Sequence, residues 1–273
     1  MKRIQSRDNP AYKSWARLAT STRERRATGR ILLDGLHLVE AYEAAFGLGN
    51  ADLLLRDDAA VRGEIPRWLE SRSCPAVWQL PAALFDRLSP VETPTGILAI
   101  VPRPDPGKFA TEIAGFVVML DGLQDPGNVG TIMRSAAAAG GRGVFLSDGC
   151  TDAWSPRCLR AGMGAHFILH VEERVDLVAR AEELGIPLVV ADMAGSASLF
   201  EAALPESCVF AVGAEGRGVS DALRQQASLL LRVPMAAGIE SLNVAAAATL
   251  LFFEWQRRVE RGPPSPCQPS RRI

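Results

Sequence analysis

Three loops in the second half of this chain combine glycine with short polar side chains, the composition of backbone that can grip a ligand closely. The first, LDGLQDPGNVGTIMRS (residues 120–135), turns at Asp125-Pro126-Gly127. Asn128 can cap the helix that follows, and Gly130 keeps its first turn bare. Arg134 projects about two turns in, a lone cation on an Ala-rich helix. The second loop, VGAEGRGVS (residues 212–220), has a G-x-x-G-x-G order that is not the dinucleotide fingerprint. It also holds Glu215, a charge that a phosphate cradle would avoid. The third lies in VPMAAGIESLNVAAAATLLFFEWQRR (residues 233–258), where an apolar strand ends, turns through Pro234 and Gly238, and enters a long helix. Ser241 stands where an N-cap belongs, with Glu240 and Asn243 beside it. Amides exposed at such a helix start suit a polar ligand. From Val244 to Phe253 this helix is apolar almost all round, which predicts burial inside the fold. Taken singly, each loop has an ordinary reading as a turn, a surface arginine or a capping amide.

The elements that must position these loops alternate. From Phe116, apolar strands (FVVMLDGL, GVFLSD, FILHV, IPLVVAD, CVFAVG, LLLRV) exchange with helices, including SPRCLRAGMG with Ser155 as cap and Pro156 in its first turn. Strands of Val, Ile and Leu between helices predict a parallel sheet covered on both faces, with ligands at the carboxyl ends of its strands. Residues 1–101 read as a smaller α/β domain: a basic helix after Asn9-Pro10, short strands at Ile31–Leu33, Leu53–Leu55 and Val77–Leu80, and a closing strand in Thr95–Val101. Residues 102–115 open with PRPDPG, a linker by composition. The second domain spans 116–261, and residues 262–273, GPPSPCQPSRRI, lack anything to bury and are expected to be a disordered tail.

Composition excludes several classes. The 273 residues, 48% hydrophobic with mixed charges, describe a soluble globular chain long enough for two packed domains. Net charge is −1, yet residues 1–30 carry nine basic side chains against two acidic ones, an asymmetry that suits a polyanion such as RNA. Five scattered cysteines without ligand spacing argue against a zinc site and for thiols in a reducing compartment. No apolar run approaches the ~20 residues of a membrane span, so a cytoplasmic location is expected.

In order and spacing, LDGLQDPGNVGTIMR, FAVGAEGRG and VPMAAGIESLNVAAAATLL resemble the three motifs of the SpoU (TrmH-type) RNA ribose 2′-O-methyltransferases. RAGMGAHF (residues 160–167) is similar to a further family segment, and the opening IQSRDNPAYK looks like the substrate-binding domain that some members place in front. There, Asp34-Gly35 stands where a Glu-Gly pair is usual. The resemblance implies an α/β fold whose parallel-sheet catalytic domain is knotted, a rare exception to the rule against threaded chains, behind a smaller N-terminal RNA-binding domain. It implies S-adenosylmethionine held largely by backbone at Gly213, Gly218, Val233, Met235 and Leu242. It also implies a homodimer with the pocket shared across the interface, and no metal.

The implied catalytic set is Arg134, with Asn128, Glu215, Ser241 and Asn243 orienting it and the ribose. An arginine holds its proton far above neutral pH and is a poor base by itself. Binding the adjacent phosphate and stabilising the developing alkoxide is the alternative role for Arg134. The substrate would be structured RNA, ribosomal RNA ahead of tRNA. Two other classes compete: a non-catalytic RNA-binding protein on the same scaffold, which replacement of Asn128, Arg134 or Ser241–Asn243 would favour, and a nucleotide-dependent oxidoreductase, which lacks G-x-G-x-x-G after its first strand.

Overall fold

The structure, a computed structural model, describes residues 1–59, 64–70, 72, 76–91, 93–110, 114–193, 195 and 197–261. The expected tail at 262–273 lies outside them. The chain forms two compact units: Met1–Gly107 with Asp125–Arg134 and Thr151–Ile168, and Lys108–Gln124 with Ser135–Cys150 and Leu169–Ile273.

In the first unit, β1 (Lys2–Arg3), β2 (Arg30–Asp34), β3 (Asp52–Arg56), β4 (Ala76–Leu80) and β5 (Ile97–Pro102) form a mixed sheet in the order β1-β4-β3-β5-β2. Helices α1 (Pro10–Thr20), α2 (Thr22–Thr28), α3 (Leu36–Phe46), α4 (Glu64–Glu70) and α5 (Ala82–Phe85) connect them. Asn9 starts α1 by accepting the amides of Ala11 and Tyr12, and Pro10 occupies the first turn. Tyr12, Trp15 and Leu18 recur at helical spacing, so they fall on one face and bury against Leu32, Leu54, Leu98 and Ile100. Strand register explains why alternate sheet residues share that core while their neighbours face the other way.

Two stretches expected within the second domain pack with this unit. Helix α7 (Pro156–Gly162) lies against β2, and Phe167 meets Tyr42 edge-on at 5.4 Å. Arg25, counted above among the basic residues facing a polyanion, is instead buried. Its guanidinium is 2.6 Å from Asp152 and donates to the carbonyl of Leu18. Removing one partner of such a buried pair strands the other charge, so Arg25 is a structural cation.

His166 sits in the same region, in a 3-10 turn (Ala165–Phe167) that runs into the first residue of FILHV, where a strand was expected. Only His170–Glu173 pairs as a strand there, numbered β8. The His166 ring is wholly buried, with Nε2 2.8 Å from the Ala153 carbonyl. Gly162 makes room for it: a Cβ there would stand 2.5 Å from the ring's Cε1. Burial pushes the imidazole down to about 4, against 6.5 when unperturbed. The unfolded chain therefore takes up a proton first as pH falls. Stability from the neutral ring is complete above about pH 6.5 and is lost on the way down to about pH 4, amounting to about 3 kcal/mol. Urea denaturation at pH 7 and pH 4 is expected to show that extra loss in wild type but not in His166→Gln; parallel losses in the two proteins would refute it.

The second unit is built on a seven-stranded, all-parallel sheet in the order β10-β12-β9-β11-β6-β7-β8. Its strands are β6 (Phe116–Asp121), β7 (Gly143–Leu146), β8, β9 (Leu188–Ala191), β10 (Ala197–Ser198), β11 (Cys208–Gly213) and β12 (Leu229–Arg232). Central strands β6 and β11 are buried on both faces, as their continuous apolar runs require. One face presents Val117, Met119, Val209 and Ala211 to α8 (Leu177–Leu184) and α9 (Asp221–Gln226). The other carries Phe116 and Phe210, which pack on Phe252 and Trp255 of α10 (Val244–Arg261). No helix among the described residues is long and apolar enough to cross a membrane.

Three local expectations are corrected. Helix α6 (Pro126–Ala138) is capped by Asp125, whose carboxylate accepts the Asn128 amide at 2.9 Å, so Asn128 lies inside the first turn. Helix α10 is capped by Asn243, not Ser241. Asn243 Oδ1 accepts the amides of Ala245 and Ala246, and its carbonyl accepts from Ala247. Nor is α10 buried all round: Ala248, Leu251 and Phe252 face the sheet, while Ala246, Leu250 and Phe253 are exposed.

Candidate functional site

The carboxyl ends of β9, β11 and β12 surround a cavity of about 480 Å³, closed on one side by the first turn of α10. This is where a parallel sheet offers its loops to a ligand. Gly213, Glu215, Gly218, Val233, Met235, Ser241 and Leu242, singled out from sequence, all line it.

The loop after β11 owes its shape to glycine. It folds back on itself through a bridge between Ala214 and Gly218, and the Gly218 amide donates to the Ala214 carbonyl at 2.8 Å. Gly216 and Gly218 take positive φ, +82° and +71°. Gly213 has a different task. A Cβ there would stand 2.0 Å from the carbonyl of Gly218 and 2.2 Å from the Val219 nitrogen, so only glycine lets the two arms of the loop meet. Asp121, at the end of neighbouring β6, ties down the far arm: its carboxylate accepts the Ser220 amide, and its carbonyl accepts the Ala214 amide. The sequence reading passed over Asp121. Its signal was an acid at the end of an otherwise apolar strand.

At the mouth of α10, Asn243 joins two loops. While its oxygen caps the helix, its Nδ2 donates to Glu215 at 3.1 Å. Asn243 is thus one hydrogen bond from the cavity, through a carboxylate that lines it. Among the lining residues Val233, Leu242 and Ala247 are apolar and suit a flat ring, whereas Asp192, Arg217 and Arg224 bring charge. A cavity of this volume with mixed walls is in the range of small-molecule sites. It fits a nucleoside-bearing cofactor of the size of S-adenosylmethionine.

Asn128 and Arg134 are not among the lining residues. Both lie on α6, Asn128 half-buried and Arg134 exposed. Val129, Ile132, Met133 and Ala136 carry the buried face of that helix, which leaves Thr131 and Arg134 on the outer one.

Comparison with known proteins identifies the family. The family described as SpoU rRNA Methylase matches residues 115–253, the sheet, the cavity and most of α10. A curated relative, the 23S rRNA (guanosine(2553)-2′-O)-methyltransferase RlmP of Bacillus subtilis, is 35% identical over 93% of this chain and 98% of its own length. Among solved structures, an RNA 2′-O ribose methyltransferase superposes with a TM-score of 0.81 at 28% identity, covering 94% of this chain and 99% of that one. An AdoMet-bound rRNA methyltransferase from Sinorhizobium meliloti does so with a TM-score of 0.79 at 25% identity, covering 94% and 98%.

Fold, cavity and matched segment define the class of protein, a methyltransferase acting on RNA. The chain belongs to the SpoU rRNA methylase family, and it carries in front of the matched segment a five-stranded domain that the family model leaves out.

Proposed function

We propose that this chain transfers the methyl group of S-adenosylmethionine to a ribose 2′-hydroxyl of 23S ribosomal RNA. The observation that carries the reading is the glycine-built cavity at the ends of β9, β11 and β12, inside the segment matched by the rRNA methylase family. RNA 2′-O-ribose methylation is the activity of the full-length relatives, and an AdoMet-bound relative shares the fold. Incubating rRNA with this protein and methyl-labelled donor, then hydrolysing in alkali, tests it. A 2′-O-methyl blocks cleavage at its own linkage, so label is expected in alkali-resistant dinucleotides; label in mononucleotides would place the methyl on a base and overturn the reading.

Gly213, Gly218, Val233, Met235 and Leu242 would hold the cofactor, which when bound supplies an already activated methyl group. The remaining work is alignment and removal of the hydroxyl proton. A guanidinium is a poor base, so Arg134 is given another role. It binds the phosphate next to the target ribose and stabilises the oxygen as the proton leaves, with the phosphate sharing that proton. Asn128, Glu215, Ser241 and Asn243 hold the ribose and the arginine in register. The threaded path of the chain around β12 and α10 is carried over with the family.

Asn243 now has two jobs, and the variant Asn243→Ala is expected to show both. Loss of the cap costs about 1 kcal/mol of stability. Loss of the contact to Glu215 lowers turnover about ten- to a hundred-fold beyond what the folded fraction explains. Thermal unfolding beside single-turnover rates separates the two; activity that tracks the folded fraction alone would leave Asn243 a cap and nothing more.

The protein acts as a homodimer, with Arg134 of one protomer serving the cavity of the other. What supports this is the outer face of α10, where Leu250 is 40% and Phe253 43% exposed on an otherwise ordinary helix. Sedimentation is expected to show a dimer for wild type and a monomer for Phe253→Asp; a dimeric variant would move the interface elsewhere. RNA capture falls to residues 1–101, through exposed Lys2, Arg3, Arg7, Arg23 and Arg26. A ribosomal substrate fits the cytoplasmic location expected from the sequence.

A further inference from the structure

Two acidic residues line the cavity, Asp192 and Glu215. Glu215 accepts the Asn243 amide, and the second, Asp192, has no part in the scheme above. Asp192 follows the last residue of β9, the strand hydrogen-bonded beside β11. Its side chain is mostly buried, 16% exposed, and meets the guanidinium of Arg224 on α9 at 3.0 Å. Both residues are among those that line the cavity. In doubly wound parallel sheets, a glycine loop after one strand and an acid near the end of another hold a nucleoside together. The loop lets the ligand approach, and the carboxylate accepts its ribose hydroxyls. Here β11 supplies such a loop and adjacent β9 such an acid, although the glycine order is not the dinucleotide one.

We propose that Asp192 accepts the ribose 2′- and 3′-hydroxyls of the adenosyl donor, with Arg224 as the residue that positions it. This rests on the reading of the cavity as the S-adenosylmethionine site. A carboxylate offers about four acceptor positions on two oxygens, and the Arg224 contact is made at one oxygen, Oδ2. Arg224 fixes the rotamer of Asp192 and balances its charge in a cavity that Glu215 also lines. The apolar walls at Val233, Leu242 and Ala247 then take the base. The pair selects adenosyl ligands that carry both hydroxyls.

Calorimetry on the full chain tests this with two probes, S-adenosylhomocysteine and its 2′,3′-dideoxy analogue. Wild type is expected to prefer the hydroxylated ligand about ten- to a hundred-fold, the scale of hydrogen bonds to a charged acceptor. In Asp192→Asn the preference should shrink to about threefold or less, and in Arg224→Gln to an intermediate value. If the pair merely braces the fold, both ligands weaken together and the ratio stays at its wild-type value, which overturns the proposal. Equal affinity of wild type for the two ligands overturns it as well, leaving the donor site standing. Wild type that binds neither probe removes the donor reading and this inference with it. Should Asp192→Asn fail to fold, an unchanged ratio in Arg224→Gln is the result that refutes it.

Discussion

Replacing Arg134 with alanine is expected to lower methyl transfer to RNA by about a hundred- to a thousand-fold while S-adenosylhomocysteine binds as tightly as before. The two halves of that expectation have separate grounds. Arg134 is exposed on α6 and does not line the cavity, so the donor loses no contact in the free protein. Its neighbours Ile132, Met133 and Ala136 carry the helix's packing, and alanine is a better helix former than arginine, so the fold is not at risk. What disappears is a cation that is always charged and can grip a phosphate with two parallel donors. Arg134→Lys keeps the charge but not the fork, so it should recover only part of the rate. Single-turnover transfer on rRNA and calorimetry on the free protein check both halves. A variant that turns over at the wild-type rate removes Arg134 from the chemistry, and one that no longer binds S-adenosylhomocysteine makes it a donor contact.

The three motifs were legible because each consists of residue types that have few other uses in one place. Glycines at 213, 216 and 218 announced a backbone needing close approach, and the structure gives two reasons for them, contact at 213 and positive φ at 216 and 218. Period and composition also found the parallel sheet, since Val, Ile and Leu runs between helices leave few alternatives. Helix boundaries were harder. Ser241 and Asn243 both belong to the capping set, and Asn128 and Asp125 likewise. The choice between them depends on where the backbone leaves its turn, which no local pattern records. The outer face of α10 misled for another reason. Apolar residues all round a helix imply burial, but sequence cannot say whether the burying surface belongs to the same chain. Packing of Asp125–Arg134 and Thr151–Ile168 with the N-terminal sheet was invisible altogether. It depends on long-range pairs such as Arg25 with Asp152, whose separation of 127 positions carries no periodic signal.

Gly213→Ala should be the variant that empties the cofactor site. The added methyl would lie 2.0 Å from the Gly218 carbonyl group and 2.2 Å from the Val219 nitrogen. These are backbone atoms, held by the Ala214–Gly218 bridge and by Asp121's grip on the Ser220 amide, so no side chain can swing aside. The loop itself must move, and it forms a wall of the cavity. Affinity for S-adenosylhomocysteine is therefore expected to fall at least about a hundred-fold, on the order of the loss of several precisely placed backbone contacts. Gly216→Ala provides the contrast. Nothing lies within 4 Å of a Cβ there, and its cost is the strain of a left-handed residue, about 1–2 kcal/mol, taken at the tip of the turn. That variant should lose stability by about this amount and keep most of its affinity. Calorimetry beside thermal unfolding on the two proteins ranks the effects. If Gly213→Ala binds within threefold of wild type while Gly216→Ala does not, the tip of the loop and not its base makes the cradle, and the assignment of Gly213 fails.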